Sequence, residues 1–310
     1  VIDLHTHSRY SDGSDSPAEL AERAAALGLS AIALTDHDTT AGLDEMAAAC
    51  AERGVRLVRG VEVSLKDERH TRIDETGRES TVNVHVLGYF IPEDPASGTQ
   101  SLLAALREDR VRRNIQLVEL LNSLGFTRLS LDSVLAYGGS VESLGRPHFA
   151  RAMIATHPEI VGASETPEVI GAIFTDWLAV GGRAYLRKTH TTIEQFVAAG
   201  VGEGVVFAIA HPLLNYARGA SLDEIARVMP PILASLRERG LRGVEAHYGS
   251  CDEPTRRLMA KLARDAHMIP TGGSDYHGTY KPDVALGVGR AGDLAVPDEV
   301  LEELEAARTT

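Results

Sequence analysis

The amino-acid sequence predicts an α/β barrel interrupted by a helical subdomain. Three observations carry this prediction. Apolar strand-like runs alternate with amphipathic helical patterns over residues 1–64 and again after residue 191. The stretch between, residues 98–190, reads as mainly helical. Histidines and carboxylates recur at the C-terminal ends of the predicted strands, the edge at which parallel α/β folds build their sites.

Taken in order, the first strand leads into "SRYSDGSDSPAEL", where Ser16 offers an N-cap, Pro17 the first helical position and Glu19 the capping-box partner. That helix runs to about Gly28, and "SAIALTD" is the second strand. "TTAGLDEMAAACAERG" is a helix closed by Gly54, and "VRLVRGVEVS" is a third strand. Repeated strand–helix–strand units imply parallel pairing. Residues 65–90 break the rhythm: "ETGRES" reads as a turn joining "VEVSL" to "TVNVHVLGYF" in a hairpin on the sheet. Past Pro92, Pro95 and Gly98 come the helical patterns "LLAALREDRVRRNIQLVELLNSLGF" and "TPEVIGAIFTDWLAVGG". The alternation then resumes with helix "TIEQFVAAGV", strand "GVVFAIAHP", helix "LDEIARVMPPILASLRERG", strand "LRGVEAHYG", helix "EPTRRLMAKLARDAH" and strand "MIPTGGSDYHG". Residues 1–97 and 191–310 are thus expected to form the barrel, and 98–190 the insertion.

With 310 residues, 44% of them hydrophobic, the chain can bury a sizeable core. Its formal charge of −13 argues against binding long duplex nucleic acid, which depends on neutralising phosphates. Cys50 and Cys251 are too few for a disulfide framework, so a cytoplasmic setting is expected. No run approaches the roughly 18 apolar residues of a membrane span, and no membrane partner is expected.

The candidate ligands are His5, His7, Asp12, His37, Glu62, His85, His211, Asp275 and His277. One strand-end histidine alone is more often a satisfied, half-buried side chain. "H-x-H" brings both imidazoles to one strand face, and the whole set on one rim is hard to explain as packing. Imidazole and carboxylate without thiolate suit zinc, manganese or iron, and disfavour a closed structural zinc site. The set is too large for one ion. A carboxylate such as Glu62 can bridge two, and paired ions activate water while clamping the oxygens of a displacement.

In chain order, "DLHTHSRYSDGS", "ALTDHDT", "GVEVS", "VHVLGY", "AHP" and "GGSDYHG" resemble the motifs of the PHP (polymerase and histidinol phosphatase) family. The resemblance covers residues 1–95 and about 195–290 and implies a distorted (β/α)7 barrel with two or three divalent metals at its mouth, manganese first, zinc or iron as alternatives. It implies that His5, His7, Glu62 and Asp275 hold one ion, that Glu62, His85 and His211 hold a second, and that Asp12, His37 and His277 hold a third. Asp36 and Asp38 would fix the His37 tautomer, with a helix cap as the plain alternative for Asp38. Within the insertion, "LGRPHFARAM" is similar to the subfamily that dephosphorylates nucleoside 3',5'-bisphosphates, some members of which are 5'-to-3' oligoribonucleases. That implies Arg146 forking a phosphate and His148 binding phosphate or donating a proton, against the plain reading of a helix start at Pro147.

The expected activity is metal-dependent hydrolysis of the 3'-phosphate of a small nucleotide such as adenosine 3',5'-bisphosphate, with short RNA as a further substrate. Asp12, Arg146 and His148 are its catalytic candidates besides the metals. Histidinol phosphate is the competing substrate, and a metal-binding module without turnover the competing class. Phe149, Tyr216 and Tyr248 are candidate stackers or core residues. Arg183, Lys188, His190 and Arg218 are further cations for the mouth or the solvated surface. His70, His157, His247 and His267 read as surface or structural, with His247, just after Glu245 at a strand end, the next candidate ligand.

Overall fold

Ser16 caps the first helix as its sequence predicts: its hydroxyl accepts the Glu19 N–H while the Glu19 carboxylate accepts the Ser16 N–H, an arrangement worth about 1 kcal/mol. The computed structural model describes residues 1–73, 79–138, 141–142, 144–186 and 191–308. Seven strands follow one another around a single sheet in chain order: β1 (Ile2–Asp3), β2 (Ala31–Leu34), β3 (Arg56–Ile73), β4 (Glu79–Tyr89), β5 (Val206–Ile209), β6 (Gly243–Tyr248) and β7 (Ile269–Gly273). Past the ends of β1 and β7 the chain closes the ring nearly completely, through Leu4 N to Gly272 O at 3.2 Å and Asp275 N to His5 O at 2.9 Å.

β1, β2 and β3 run parallel, as do β5, β6 and β7. β4 is antiparallel to both of its neighbours. The hairpin predicted over residues 65–90 is therefore present and forms part of the barrel wall, replacing one crossover helix. Its turn, in "ETGRES", falls largely outside the described residues.

Helices α1 (Pro17–Ala26) and α2 (Leu43–Arg53) join the first strands. α2 ends at Gly54, whose φ of +68° is the left-handed conformation a helix stop uses. Between β4 and β5 come α3 (Gly98–Ser123), α4 (Leu131–Leu135), α5 (Arg146–Thr156), α6 (Pro158–Val161) and α7 (Pro167–Ile173), followed by one turn of π-helix over Phe174–Leu178. Leu121, Phe126, Phe149, Met153 and Trp177 share a core within this stretch. α8 (Ile193–Gly200), α9 (Pro212–Tyr216), α10 (Leu222–Glu238), α11 (Glu253–Asp265) and α12 (Glu299–Ala307) complete the barrel's outer layer and C-terminus. Among the described residues no helix is long and apolar enough to cross a membrane.

Candidate functional site

The ends of β1 and β7 meet because Gly273 leaves room: a Cβ there would lie 2.4 Å from the His5 backbone nitrogen. His5 and His7 follow β1, His37 follows β2, His211 follows β5, and Asp275 and His277 follow β7. Glu62 and His85 instead lie inside the long strands β3 and β4, not at strand ends as the sequence suggests. Three of the five described non-glycine residues with positive φ sit here: Asp38 (+55°), His211 (+28°) and Asp275 (+57°). Such conformations cost about 1–3 kcal/mol each and persist where surrounding structure over-determines them.

His5 Nε2 and His7 Nε2 lie 3.1 Å apart. Glu62 Oε2 is 3.3 and 3.2 Å from them, and Asp275 Oδ1 is 3.6 and 3.4 Å from them. A tetrahedral ion with ligands at about 2.0–2.1 Å sets its ligand atoms about 3.4 Å apart. Four donors with this spacing, all buried, fit a divalent metal.

Glu62 joins this group to the others. Its Oε1 is 2.9 Å from His85 Nδ1 and 3.0 Å from His211 Nε2, while Oε2 is 3.1 Å from His37 Nδ1. On the other side of His37, Nε2 is 3.6 Å from Asp12 Oδ2, and His277 Nε2 is 3.3 Å from Asp12 Oδ1. His37 thus faces two groups, Glu62 with His85 and Asp12 with His277, rather than the last alone. His37 Nδ1 is buried without a hydrogen bond despite its approach to Glu62, as a lone pair aimed at a cation would be.

Charge follows the same geometry. Burial would raise the carboxyls of Glu62 and Asp275, yet the surrounding imidazoles hold both well below the usual carboxylate range. Burial would lower His7, but Asp275 and Glu62 outweigh it and push it up to about 9. His37 goes the other way, down to about 3, because burial prevails over its neighbouring carboxylates.

Partners orient the ligands. His5 donates Nδ1–H to Glu245 Oε1 at 2.7 Å, which leaves Nε2 as the donor to a metal. His277 donates Nδ1–H to the Asp275 carbonyl at 2.8 Å and likewise frees Nε2. Asp36 and Asp38 do not play the part expected of them. Asp36 accepts from the backbone and hydroxyl of Ser8 and from Ser11 Oγ, fixing the loop that carries Asp12. Asp38 accepts the Ser64 N–H at 3.0 Å and an ion pair from Arg110 of α3.

Beside His37 and His85 opens a cavity of about 260 Å³ into which Arg110, Arg113 and Arg146 converge. Phe149, Phe174 and Leu178 give it apolar walls, and no carboxylate among the described residues lines it. Burial lowers the guanidinium pKa values of Arg113 and Arg146, and the positive charge of its two neighbours lowers Arg113 further. A phosphate dianion would relieve that repulsion.

Over the candidate metal ligands lies a second cavity of about 480 Å³, reached by His148, Arg151, Arg218 and Lys281. His148 Nδ1 accepts the Gly145 N–H at 2.9 Å, so the ring proton sits on Nε2. Burial lowers its pKa, which disfavours the charged ring. Tyr248 donates to Asp275 Oδ2 at 2.9 Å. Tyr216 is no stacker: its hydroxyl donates to Asp67 at 2.5 Å, away from both cavities. Arg183 lies over the Trp177 ring at 4.2 Å, Arg218 lines the mouth, and Lys188 and His190 fall outside the described residues.

Glu245, Arg110, Arg113 and Lys281 are the residues the sequence reading misses. His247 is absent from the clusters, and the missing member of its strand is Glu245. A carboxylate amid small apolar residues in "GVEAHYG" is the signal that could have found it. Within the helical pattern "LLAALREDRVRRNIQLVELLNSLGF", nothing local sets Arg110 and Arg113 apart from the neighbouring arginines.

A family model described as the PHP domain matches residues 3–199. The chain is 33% identical to the 3',5'-nucleoside bisphosphate phosphatase of Chromobacterium violaceum over 89% of its length and 87% of that protein. It is 29% identical to a phosphoribosyl 1,2-cyclic phosphate 1,2-diphosphodiesterase of Eggerthella lenta (90% and 95% covered) and 28% identical to a 5'-3' exoribonuclease of Haemophilus influenzae (89% of each). A solved structure from Bifidobacterium adolescentis, assigned as a metal-dependent phosphoesterase, superposes with a TM-score of 0.74 at 31% identity, covering 99% of this chain and 96% of that one. With the matched motifs, the barrel and the clustered ligands in place, the chain belongs to the PHP domain family and is, like these relatives, a hydrolytic phosphoesterase.

Proposed function

We propose that this protein removes the 3'-phosphate from nucleoside 3',5'-bisphosphates, giving a nucleoside 5'-monophosphate and phosphate, with two or three divalent ions, manganese first, as cofactors. The observation that carries this reading is adjacency: the carboxylate-free arginine cavity shares His37, His85 and Pro147 with the cavity over the metal ligands. One phosphate can be anchored while the other sits among the ligands, and anchoring energy then orients the reacting centre. The Chromobacterium relative, named for this activity, supports it.

His5, His7, Glu62 and Asp275 would hold one ion, Glu62 with His37, His85 and His211 a second, and Asp12, His37 and His277 contribute the donors of a third position. When bound, such ions supply Lewis acidity toward the phosphoryl oxygens and a water acidic enough to act as nucleophile near neutral pH. Arg110, Arg113 and Arg146 bind the anchoring phosphate, and Arg146 at the start of α5 presents a fork suited to two of its oxygens. His148 donates Nε2–H to the transferring phosphate or to the departing O3'. Arg151, Arg218 and Lys281 keep the mouth cationic. A histidinol-phosphate substrate would bring an ammonium group to an arginine-lined cavity, which argues against it.

The test is phosphate release from adenosine 3',5'-bisphosphate with manganese, beside AMP, histidinol phosphate and a 5'-phosphorylated RNA, with each product identified. AMP and phosphate from the bisphosphate, with AMP itself left intact, is the expected result. Preferred release of the 5'-phosphate, or turnover of histidinol phosphate alone, overturns it.

A further inference from the structure

We infer that the cleft beyond His148 is a binding site for the second nucleotide of a short single-stranded RNA. The inference rests on the phosphoesterase reading above. In that reaction a water oxygen bonds to phosphorus, the P–O3' bond breaks, and O3' departs with a proton. Applied to a 5'-phosphorylated RNA, the same bond change releases the first nucleotide as its 5'-monophosphate. The rest of the strand stays on the phosphorus, which becomes its new 5'-phosphate. A strand so processed needs a path leading from the metal ligands away from the arginine cavity.

Such a path is present. The cavity over the ligands shares His148 and Tyr280 with a polar cleft of about 300 Å³ between the loop after β1 and the segment after α4. Arg9, Ser11, Ser14 and Tyr137 supply its other polar surface, and no carboxylate among the described residues lines it. In a chain with 44 acidic and 31 basic side chains, that is the lining an anionic ligand requires.

Two aromatic faces flank the cleft in a protein only 5% aromatic. Tyr280 is 42% exposed and carries Arg151 over its ring at 4.8 Å, and Tyr137 is half-buried. Arg9 is held at its rim by Glu45 at 3.4 Å. An arginine on a groove with tyrosines beside it is a means by which single strands are bound without base selection, each stacked base contributing about 1–3 kcal/mol. The three spaces thus lie in the order anchoring phosphate, reacting phosphate and second nucleotide.

The experiment compares wild type, Arg9→Ala and Tyr137→Ala on adenosine 3',5'-bisphosphate and on a 5'-phosphorylated adenylate pentamer. Each variant is expected to raise KM for the pentamer about tenfold while leaving kcat and bisphosphate turnover at the wild-type level. A parallel measurement uses chelator-treated protein and follows the anisotropy of a 3'-labelled pentamer, where binding weakens by a similar factor. Pentamer kinetics and binding unchanged in both variants, or equal losses on both substrates, overturn the cleft assignment. So does a wild-type enzyme that hydrolyses the bisphosphate and leaves the pentamer whole. If wild type fails on the bisphosphate, the phosphatase reading falls, and the anisotropy comparison still decides the cleft.

Discussion

Glu245 Oε1 lies 2.7 Å from His5 Nδ1, and the same carboxylate accepts the backbone N–H of His211 through Oε2 at 2.6 Å. One buried side chain of β6 therefore fixes the ring of a ligand from β1 and the backbone of a ligand after β5. An amide in its place has one acceptor oxygen for two N–H donors, so one of them is left facing an NH2 group. Glu245→Gln should lower metal affinity about 10–100-fold with the fold retained. Metal titration followed by circular dichroism of the same samples checks this; unchanged affinity would reduce Glu245 to packing.

The metal-free protein should become less stable as pH rises above neutrality. Burial lowers His7, but its carboxylate neighbours overcome it and raise it from 6.5 to about 9. His5 is raised too, by Glu245, Glu62 and Asp275 against burial. A raised folded-state pKa gives stability that is fully present below 6.5 and lost as pH rises through about 9. His37, lowered to about 3, acts in the opposite sense but only below 6.5, so it does not offset the loss. Chelated protein should show a falling Tm from pH 6.5 to 9, whereas the metal-loaded form, whose ligands must be deprotonated, should not. A level Tm in the chelated protein contradicts the assignment.

A second buried charge cluster braces the barrel away from the site. Asp67 of β3 accepts from Arg239 at 2.7 Å, from Tyr216 of α9 at 2.5 Å and from His70 Nδ1 at 2.7 Å. Asp67→Asn leaves the Arg239 guanidinium buried with Glu194 as its remaining carboxylate, a loss on the order of 3–5 kcal/mol. Burial raises the Asp67 carboxyl, but Tyr216, His70 and Arg239 together bring it below its usual value of 3.8. Its contribution is therefore present above pH 3.8 and disappears as pH falls below that. The stability gap between wild type and variant, read by urea unfolding, should stay constant from pH 8 to about 4 and shrink under more acid conditions.

How much of this was legible depended on whether the determinant was local. Ser16 and Glu19 lie within one turn, so the first helix start could be read directly. The candidate metal ligands are spread over β1 to β5 and β7 or the segments just after them, and because consecutive strands are neighbours in the barrel, chain order alone gathered them on one rim. Glu245 was hidden because one buried carboxylate in an apolar strand does not announce its partner. Arg110 and Arg113 were hidden for another reason: the rotation of α3 against the barrel is set by its packing with the helices that follow it. The left-handed turns at Asp38, His211 and Asp275 leave no mark in composition, since the usual glycine is absent.

The arginine cavity yields the sharpest functional test, since its action is separable from the chemistry. If Arg110 and Arg146 hold a second phosphate, their contact is made only by substrates that carry one. A charge-assisted hydrogen bond to phosphate is worth about 1.5–3 kcal/mol, so Arg146→Ala or Arg110→Ala should lower kcat/KM for adenosine 3',5'-bisphosphate about ten- to hundredfold. An aryl phosphate has no second phosphate to lose and should be hydrolysed by the variants at close to the wild-type rate. Asp38→Asn should fall between, because Arg110 keeps its charge but loses the ion pair that aims it. Equal losses on both substrates would mean that the arginines act on the reacting phosphate or on the fold, and the anchoring role would have to be abandoned.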